Sequence, residues 1–257
     1  MPTERTGGAV LPGAEPFGGG EGPHGALVLH GFTGSPHSVR DLARALAGAG
    51  MAVEAPLLPG HGTSMDDMLG TVWDDWYGAV ERAYVELAAR VDRVVLVGLS
   101  MGGTLCVALA ADHPEVAGVA AINPYIDPPA ESFRDILRGL RQEGIEVIPT
   151  AGGTDIADPD ATEASYAGTP ILPLLSLCEA LDRLAPRLPE LVCPVLILTS
   201  RQDHVVPPVS SDVLAAGVAG PVERVWLDDS FHVATLDVER AEVEHRVLEF
   251  AFKVTTP

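Results

Sequence analysis

Ser100 stands in Gly98-Leu99-Ser100-Met101-Gly102-Gly103, directly behind the apolar run Val94-Val95-Leu96-Val97 and ahead of Thr104-Leu105-Cys106-Val107-Ala108-Leu109-Ala110. The first run predicts a strand and the second a helix, so Gly-x-Ser-x-Gly falls on a strand-to-helix turn. A serine on such a turn needs a strained backbone, and the residues two before and two after it must be small for strand and helix to approach. The turn pushes the hydroxyl out at the end of a sheet, beside the positive end of a helix. This is a setting for a nucleophile. The plainer alternative is a tight turn with a capping serine.

A serine hydroxyl is a weak nucleophile at neutral pH. It needs a base to take its proton, and the base needs an acid to hold its tautomer. With the nucleophile on this kind of turn, the chain order is serine, acid, histidine. Val195 to Thr199 predicts a strand, followed by Ser200-Arg201-Gln202-Asp203-His204-Val205-Val206-Pro207. Asp203 therefore falls just past a strand, as the acid or as a cap for the helix expected from Pro207. Asp228 and Asp229 also follow a strand but lie too close in sequence to the candidate base. Of the eight histidines, the required order leaves His204, His232 and His245. His204 adjoins Asp203, so their side chains should diverge, and His245 falls inside the last predicted helix. His232, in Asp229-Ser230-Phe231-His232-Val233-Ala234, lies in the loop between the last strand and that helix. It is the expected base.

The third requirement is a pair of N–H groups aimed at the charge that develops on the substrate oxygen. One donor is the residue after the nucleophile, Met101. The other should come from the loop after the first core strand, His30-Gly31-Phe32-Thr33-Gly34-Ser35-Pro36, where Gly31 and Gly34 let the backbone turn inward. Phe32 N–H is the expected donor. A second Gly-rich loop, Pro59-Gly60-His61-Gly62-Thr63, reaches the same edge. His30 and His61 are expected to brace these loops rather than to do chemistry.

The elements that must position these groups alternate along the chain. Strands are expected at 25–30, 51–56, 94–97, 116–122, 195–199 and 222–227. Helices are expected at 36–49, 71–90, from Thr104 to His113, at 207–217 and at 240–252. Residues 1–24 are rich in Gly and Pro and hold at most a short edge hairpin. Alternating apolar strands and helices imply an α/β fold with a mostly parallel, doubly wound sheet. One stretch breaks the rhythm. Between Asn123 and Pro194, helices are expected only at 133–143 and 172–184, with a loop-like 151–169 that includes Gly152-Gly153. Residues 124–193 are therefore expected to be a cap inserted into a single domain spanning 1–257, over the sheet edge where such folds bind ligands. Two ordinary crossover helices with long loops are the alternative.

Composition narrows the partners. The net charge is −20 and Lys253 is the only lysine. Such a surface disfavours nucleic acid, anionic lipid and anionic substrates, and suits a neutral small molecule. No stretch approaches the ~20 apolar residues of a membrane span, so no integral membrane association is expected. The start, Met1 to Gly8, has no apolar run like that of a signal peptide, which makes a cytoplasmic location the expectation. The three cysteines, Cys106, Cys178 and Cys193, lie in apolar surroundings without metal-ligand or CxxC spacing.

Together, His30 to Pro36, Gly60-His61-Gly62, Gly98 to Gly103, Asp203-His204-Val205-Val206-Pro207 and His232-Val233-Ala234-Thr235-Leu236-Asp237 resemble the α/β-hydrolase superfamily. More narrowly, they are similar to bacterial monoacylglycerol lipases and small carboxylesterases. The resemblance spans about Gly25 to Phe252 and is weaker in the cap. There Asp155-Ile156 and Glu163-Ala164-Ser165-Tyr166-Ala167-Gly168-Thr169-Pro170 are similar to the family's pattern of an acidic residue ahead of Tyr and Thr-Pro. It implies hydrolysis of carboxylic esters through a serine acyl-enzyme, with no metal or redox cofactor, under a cap that shields an apolar acyl tunnel. Glu163 could accept hydrogen bonds from glycerol hydroxyls, or be a solvated surface carboxylate. An acyltransferase, thioesterase or perhydrolase would keep the same triad. A ligand-binding protein on this fold would normally lose one of its members. Dehalogenase or epoxide-hydrolase chemistry would want a carboxylate at position 100.

Overall fold

A computed structural model of the chain describes residues 8–150 and 155–256. In chain order its elements are β1 (Phe17–Gly19), β2 (His24–Leu29), a 3-10 turn (Pro36–Val39) running into α1 (Arg40–Gly48), β3 (Ala52–Ala55), α2 (Met65–Leu69) and α3 (Trp73–Ala88). Next come β4 (Arg93–Leu99), α4 (Met101–Asp112), β5 (Gly118–Ile122), α5 (Glu131–Gln142), β6 (Val147–Pro149), β7 (Gly168–Pro170) and α6 (Ile171–Leu184). A second 3-10 segment (Ala185–Glu190), β8 (Val195–Ser200), α7 (Val209–Gly217), β9 (Val222–Leu227) and α8 (Arg240–Thr255) complete the chain.

The main sheet has seven strands in the order β1-β3-β2-β4-β5-β8-β9. All pairings are parallel except that of β1 with β3. Alternate residues of each central strand feed opposite faces, the period-2 consequence of the pleat. Leu27, Leu29, Leu96, Val119 and Ile197 pack with Trp76, Val80 and Leu87 of α3 and with Leu105 and Leu109 of α4. Val28, Val95, Val97, Ala120, Ile122 and Leu198 pack with Leu42 and Leu46 of α1 and with Val243, Val247 and Phe250 of α8. With both faces covered, the strands have no polar side, which is why they read as continuous apolar runs.

Local signals set the helix starts. Ser35 Oγ accepts the His37 N–H at 3.4 Å with Pro36 in the first position. The helix expected from Pro36 begins as a 3-10 turn and becomes α-helical at Arg40. Three departures from the expected layout all concern short elements. β1 is an edge strand but not part of a hairpin: it pairs antiparallel with β3, Phe17 opposite Ala55. Helix α2, capped by Ser64 Oγ on the Asp67 N–H (3.2 Å), is too short to carry a period. The three-residue strands β6 and β7 pair antiparallel inside a stretch expected to be irregular. Gly152-Gly153 lies outside the described residues.

Between β5 and β8, no strand among the described residues joins the main sheet. Helices α5 and α6 pack through Leu137, Leu140, Ile171 and Leu174. They are tied by a two-armed ion pair in which Arg134 Nη2 lies 2.8 Å from Asp182 Oδ1 and Nη1 meets Oδ2. Among the described residues, no helix is long and apolar enough to cross a membrane.

Candidate active site

Ser100 sits between β4 and α4 with φ 56° and ψ −120°, a backbone that L-residues rarely adopt and that costs about 1–3 kcal/mol. The surrounding glycines are required by distance. A Cβ on Gly98 would come within 2.3 Å of the Gly102 carbonyl carbon, and one on Gly102 within 2.3 Å of the Leu29 oxygen. The turn is pinned by the Ser100 N–H on the Ile122 carbonyl (2.9 Å). The Ser100 side chain caps nothing in α4, so the plainer role of a capping serine does not describe it. Among the described residues its hydroxyl makes no hydrogen bond.

Asp203 and His232 come together although 29 residues apart: Nδ1 to Oδ2 is 2.7 Å, with side chains 2% and 9% exposed. The other carboxylate oxygen, Oδ1, accepts the N–H groups of Val205 (2.8 Å) and Val206 (2.7 Å). Asp203 thus caps its own loop with one oxygen and holds the imidazole with the other. A carboxylate on Nδ1 selects the tautomer that leaves Nε2 free to accept a proton. The rival histidines are elsewhere: His245 is exposed on α8, and His204 points to solvent with its Nδ1 2.8 Å from Asp155 Oδ1.

Met101 is the first residue of α4, at the positive end of that helix. The loop of Phe32 closes against it, since a Cβ on Gly31 would stand 3.2 Å from Ser100 Cβ. This loop is bent by the Gly34 N–H on the Gly31 carbonyl (3.3 Å) and by Thr33 at φ 61°. His30 and His61 hold it from behind. His30 is fully buried, with Nδ1 donating to the Gly31 carbonyl (2.9 Å) and Nε2 accepting the Leu58 N–H (3.2 Å). His61 Nδ1 donates to the Pro59 carbonyl (3.0 Å), and its ring stands edge-on to His30 and Trp76. Burial keeps both rings neutral, pushing His30 down to about 4 and His61 to about 3.

Glu163, partly buried, reaches the same edge. A Cβ on Gly34 would lie 2.9 Å from its Oε1, and Ser165 and Ser38 hydrogen-bond to its carboxylate. Burial raises its pKa above the usual carboxylate range, against the pull of His232 and the two serines. The residues after it clamp the loops of Thr33 and Gly60. Ser35 Oγ donates to the Ala164 carbonyl (3.1 Å) and Tyr166 N–H to the Thr33 carbonyl (3.1 Å). The Tyr166 hydroxyl donates to the Gly60 carbonyl and accepts the Thr63 N–H, both at 2.9 Å.

Sequence reasoning missed the residues that hold the histidine loop. Asn123, buried at φ 44°, donates from Nδ2 to the His232 carbonyl (2.8 Å) and to Ser200 Oγ (3.0 Å), while its Oδ1 accepts the Ser200 N–H (2.7 Å). Ser200 Oγ donates to the Phe231 carbonyl (2.8 Å). Asp237, fully buried, accepts the N–H groups of Ala157, Asp158, Phe231 and Val238 at 2.7–3.0 Å. Asn123 was detectable in principle: it is the polar residue that ends an apolar strand, ahead of Pro124.

A parallel sheet with a serine on a strained strand-to-helix turn, and an Asp–His pair on later loops, defines an α/β hydrolase. The chain belongs to the alpha/beta hydrolase family, whose model matches residues 26–245. It is 43% identical over 245 residues to the thermostable monoacylglycerol lipase of Bacillus sp. (strain H-257), covering 95% of this chain and 96% of the relative. It is 26% identical to a carboxylesterase of Bacillus subtilis (strain 168), covering 93% and 97%. Among solved structures, one described under LipS and LipT, two metagenome-derived lipolytic enzymes, superposes with a TM-score of 0.90 at 37% identity, covering 95% of this chain and all of the other. The monoacylglycerol lipase of Paleococcus ferrophilus shares the fold at a TM-score of 0.78 and 18% identity, covering 93% and 98%.

Proposed function

We propose that the protein is a carboxylic ester hydrolase that cleaves monoacylglycerols and other short- to medium-chain acyl esters. The 2.7 Å contact between Asp203 and His232, on loops downstream of the strained Ser100, carries this reading. The high identity to a monoacylglycerol lipase over nearly the whole chain supports it.

Ser100 Oγ attacks the ester carbonyl as His232 Nε2 takes its proton. Asp203 keeps the imidazole in the required tautomer and stabilises the imidazolium. The N–H groups of Phe32 and Met101 donate hydrogen bonds to the developing oxyanion, each worth about 3–4 kcal/mol of barrier. His232 then protonates the leaving alcohol, and water repeats the sequence on the acyl-enzyme.

Residues 124–193 are the cap, covering the edge of the sheet where Ser100 lies. Glu163 is its contact with the leaving alcohol, accepting hydrogen bonds from the free hydroxyls of glycerol. A site built to bond hydroxyls discriminates against alcohols that lack them. The three cysteines, all buried and unpaired, suit a cytoplasmic enzyme.

The decisive experiment is a hydrolysis panel of acyl esters varied in chain length and alcohol, including mono-, di- and triacylglycerols, with Ser100→Ala as control. Hydrolysis by the wild type and its loss in the variant are expected. A folded Ser100→Ala variant with undiminished activity would overturn the assignment.

A further inference from the structure

Three consecutive backbone N–H groups flank and include the proposed catalytic base, and each has a defined acceptor. Phe231 N–H donates to Asp237 Oδ2 at 2.7 Å. His232 N–H donates to Asp155 Oδ2 at 3.0 Å, and Val233 N–H to the Asp155 carbonyl at 3.1 Å. Two of the three are therefore held by one residue of the segment between β5 and β8. The same Oδ2 also accepts the N–H of His204, the residue after Asp203, at 3.0 Å. The other oxygen, Oδ1, lies 2.8 Å from His204 Nδ1, and the His204 ring stands edge-on to Phe231. A single carboxylate oxygen thus joins the loop that carries the acid to the loop that carries the base.

This placement is unlike that of a solvated surface carboxylate. The Asp155 side chain is largely buried, and its partners lie 49 and 77 residues away in sequence. The grip is reciprocal, because Asp237 of the histidine loop accepts the Ala157 and Asp158 N–H groups. On the far side, the Phe231 and His232 carbonyls are taken by Ser200 and Asn123. The sheet holds the carbonyl side of the base, and Asp155 with Asp237 holds its N–H side.

We propose that Asp155 is a positioning residue: its carboxylate, bridging the backbones of His204 and His232, sets the alignment of His232 with Asp203 and Ser100. The reaction it serves is the ester hydrolysis proposed above. Asp155 touches neither the substrate nor the imidazole. It acts by fixing where the imidazole's backbone stands, and a displacement of about 1 Å in such a group costs about a hundredfold in rate.

Asp155→Ala removes the acceptor. Asp155→Asn keeps an oxygen that accepts both N–H groups and removes the charge. Steady-state hydrolysis of p-nitrophenyl butyrate by the purified full chain should show kcat down about ten- to a hundredfold in Asp155→Ala, with KM little changed. Asp155→Asn should recover most of the loss. His204→Ala, at an exposed side chain, frees only Oδ1 and should lower kcat about threefold, the scale of one hydrogen bond. It serves if Asp155→Ala does not fold. A purely structural Asp155 would lower the melting temperature and leave the kcat of the folded enzyme unchanged. Unchanged kcat in the folded variants, or equal losses in Asp155→Ala and Asp155→Asn, would overturn the proposal.

A wild type inactive on every ester would instead overturn the hydrolase reading. The positioning claim would still be tested by proton NMR. The downfield resonance of the His232 Nδ1–H on Asp203 should be sharp in the wild type and Asp155→Asn, and exchange-broadened in Asp155→Ala. An unaltered resonance in Asp155→Ala would refute the positioning role.

Discussion

Asp203 Oδ2 faces His232 Nδ1 at 2.7 Å while Oδ1 is saturated by the Val205 and Val206 N–H groups. The carboxylate cannot swing away without breaking three hydrogen bonds. Asp203→Asn keeps the shape but must present either the wrong group to Nδ1 or an amide to the loop. It should lower kcat by about a thousand- to ten-thousandfold with little change in KM, the scale seen when such a base is held in the wrong tautomer. Steady-state kinetics with a chromogenic ester would check this. A variant within a few fold of the wild type would remove Asp203 from the chemistry.

Ser100 at φ 56° and ψ −120° stores backbone strain that the proposed attack, not stability, requires. Glycine relieves it and alanine does not. Ser100→Gly and Ser100→Ala should both lose activity, while Ser100→Gly alone gains about 1 kcal/mol of stability. Urea denaturation of the three proteins measures the difference.

His30 and His61 give the protein a defined acid limit. Their folded pKa values, about 4 and about 3, lie below the value of 6.5 that an exposed histidine has. Between these limits the unfolded chain binds more protons than the folded one, so stability rises with pH and is lost as pH falls below about 6.5. The slope is at most about 1.4 kcal/mol per pH unit for each histidine. Unfolding free energies measured from pH 7 to 4 should follow this trend. His61→Gln, at a ring whose Nε2 has no partner among the described residues, should make it shallower by the share that His61 contributes.

Glu163, whose carboxylate lies against Gly34, should act on the choice of alcohol rather than on the acyl step. Glu163→Ala is expected to lower the preference for a monoacylglycerol over the matching alkyl ester by about tenfold in kcat/KM, equivalent to about 1.4 kcal/mol. Equal preference in variant and wild type would return Glu163 to a structural role on the loop of Ser38 and Ser165.

The sequence carried most of the frame and the outline of the site, for physical reasons. Ser100 and Asp203 each follow a buried apolar strand, legible because both faces are covered, whereas His232 follows the partly exposed edge strand β9, which carries Glu223 and Arg224. Glycines at 98 and 102 mark the turn because a Cβ there meets backbone within 2.3 Å. Strands β6 and β7 and helix α2 were not legible, since three to five residues hold fewer than two full periods and so repeat no pattern. The supports of the site were hidden for a different reason. Asn123, Asp155 and Asp237 act through bonds to residues tens of positions away. Asp155 and Asp237 stand out only within segments that resemble the family, and Asn123 only as the polar end of an apolar strand; their neighbours do not disclose the bonds they make.

Tyr166 belongs by position to the segment between β5 and β8, yet its backbone N–H and its hydroxyl bind Thr33, Gly60 and Thr63 of the opposite loops. This sets where the molecule can be cut and rejoined. A chimaera that imports the whole of residues 124–193 from a relative would also import the ties that shape the loops around Ser100. Exchange confined to α5 and α6, with 155–166 and the core-facing Ser176, Leu177, Ala180 and Leu184 retained, would leave the ties to the loops around Ser100 intact. The natural seam between interchangeable and indispensable parts therefore runs through the segment between β5 and β8, not around it.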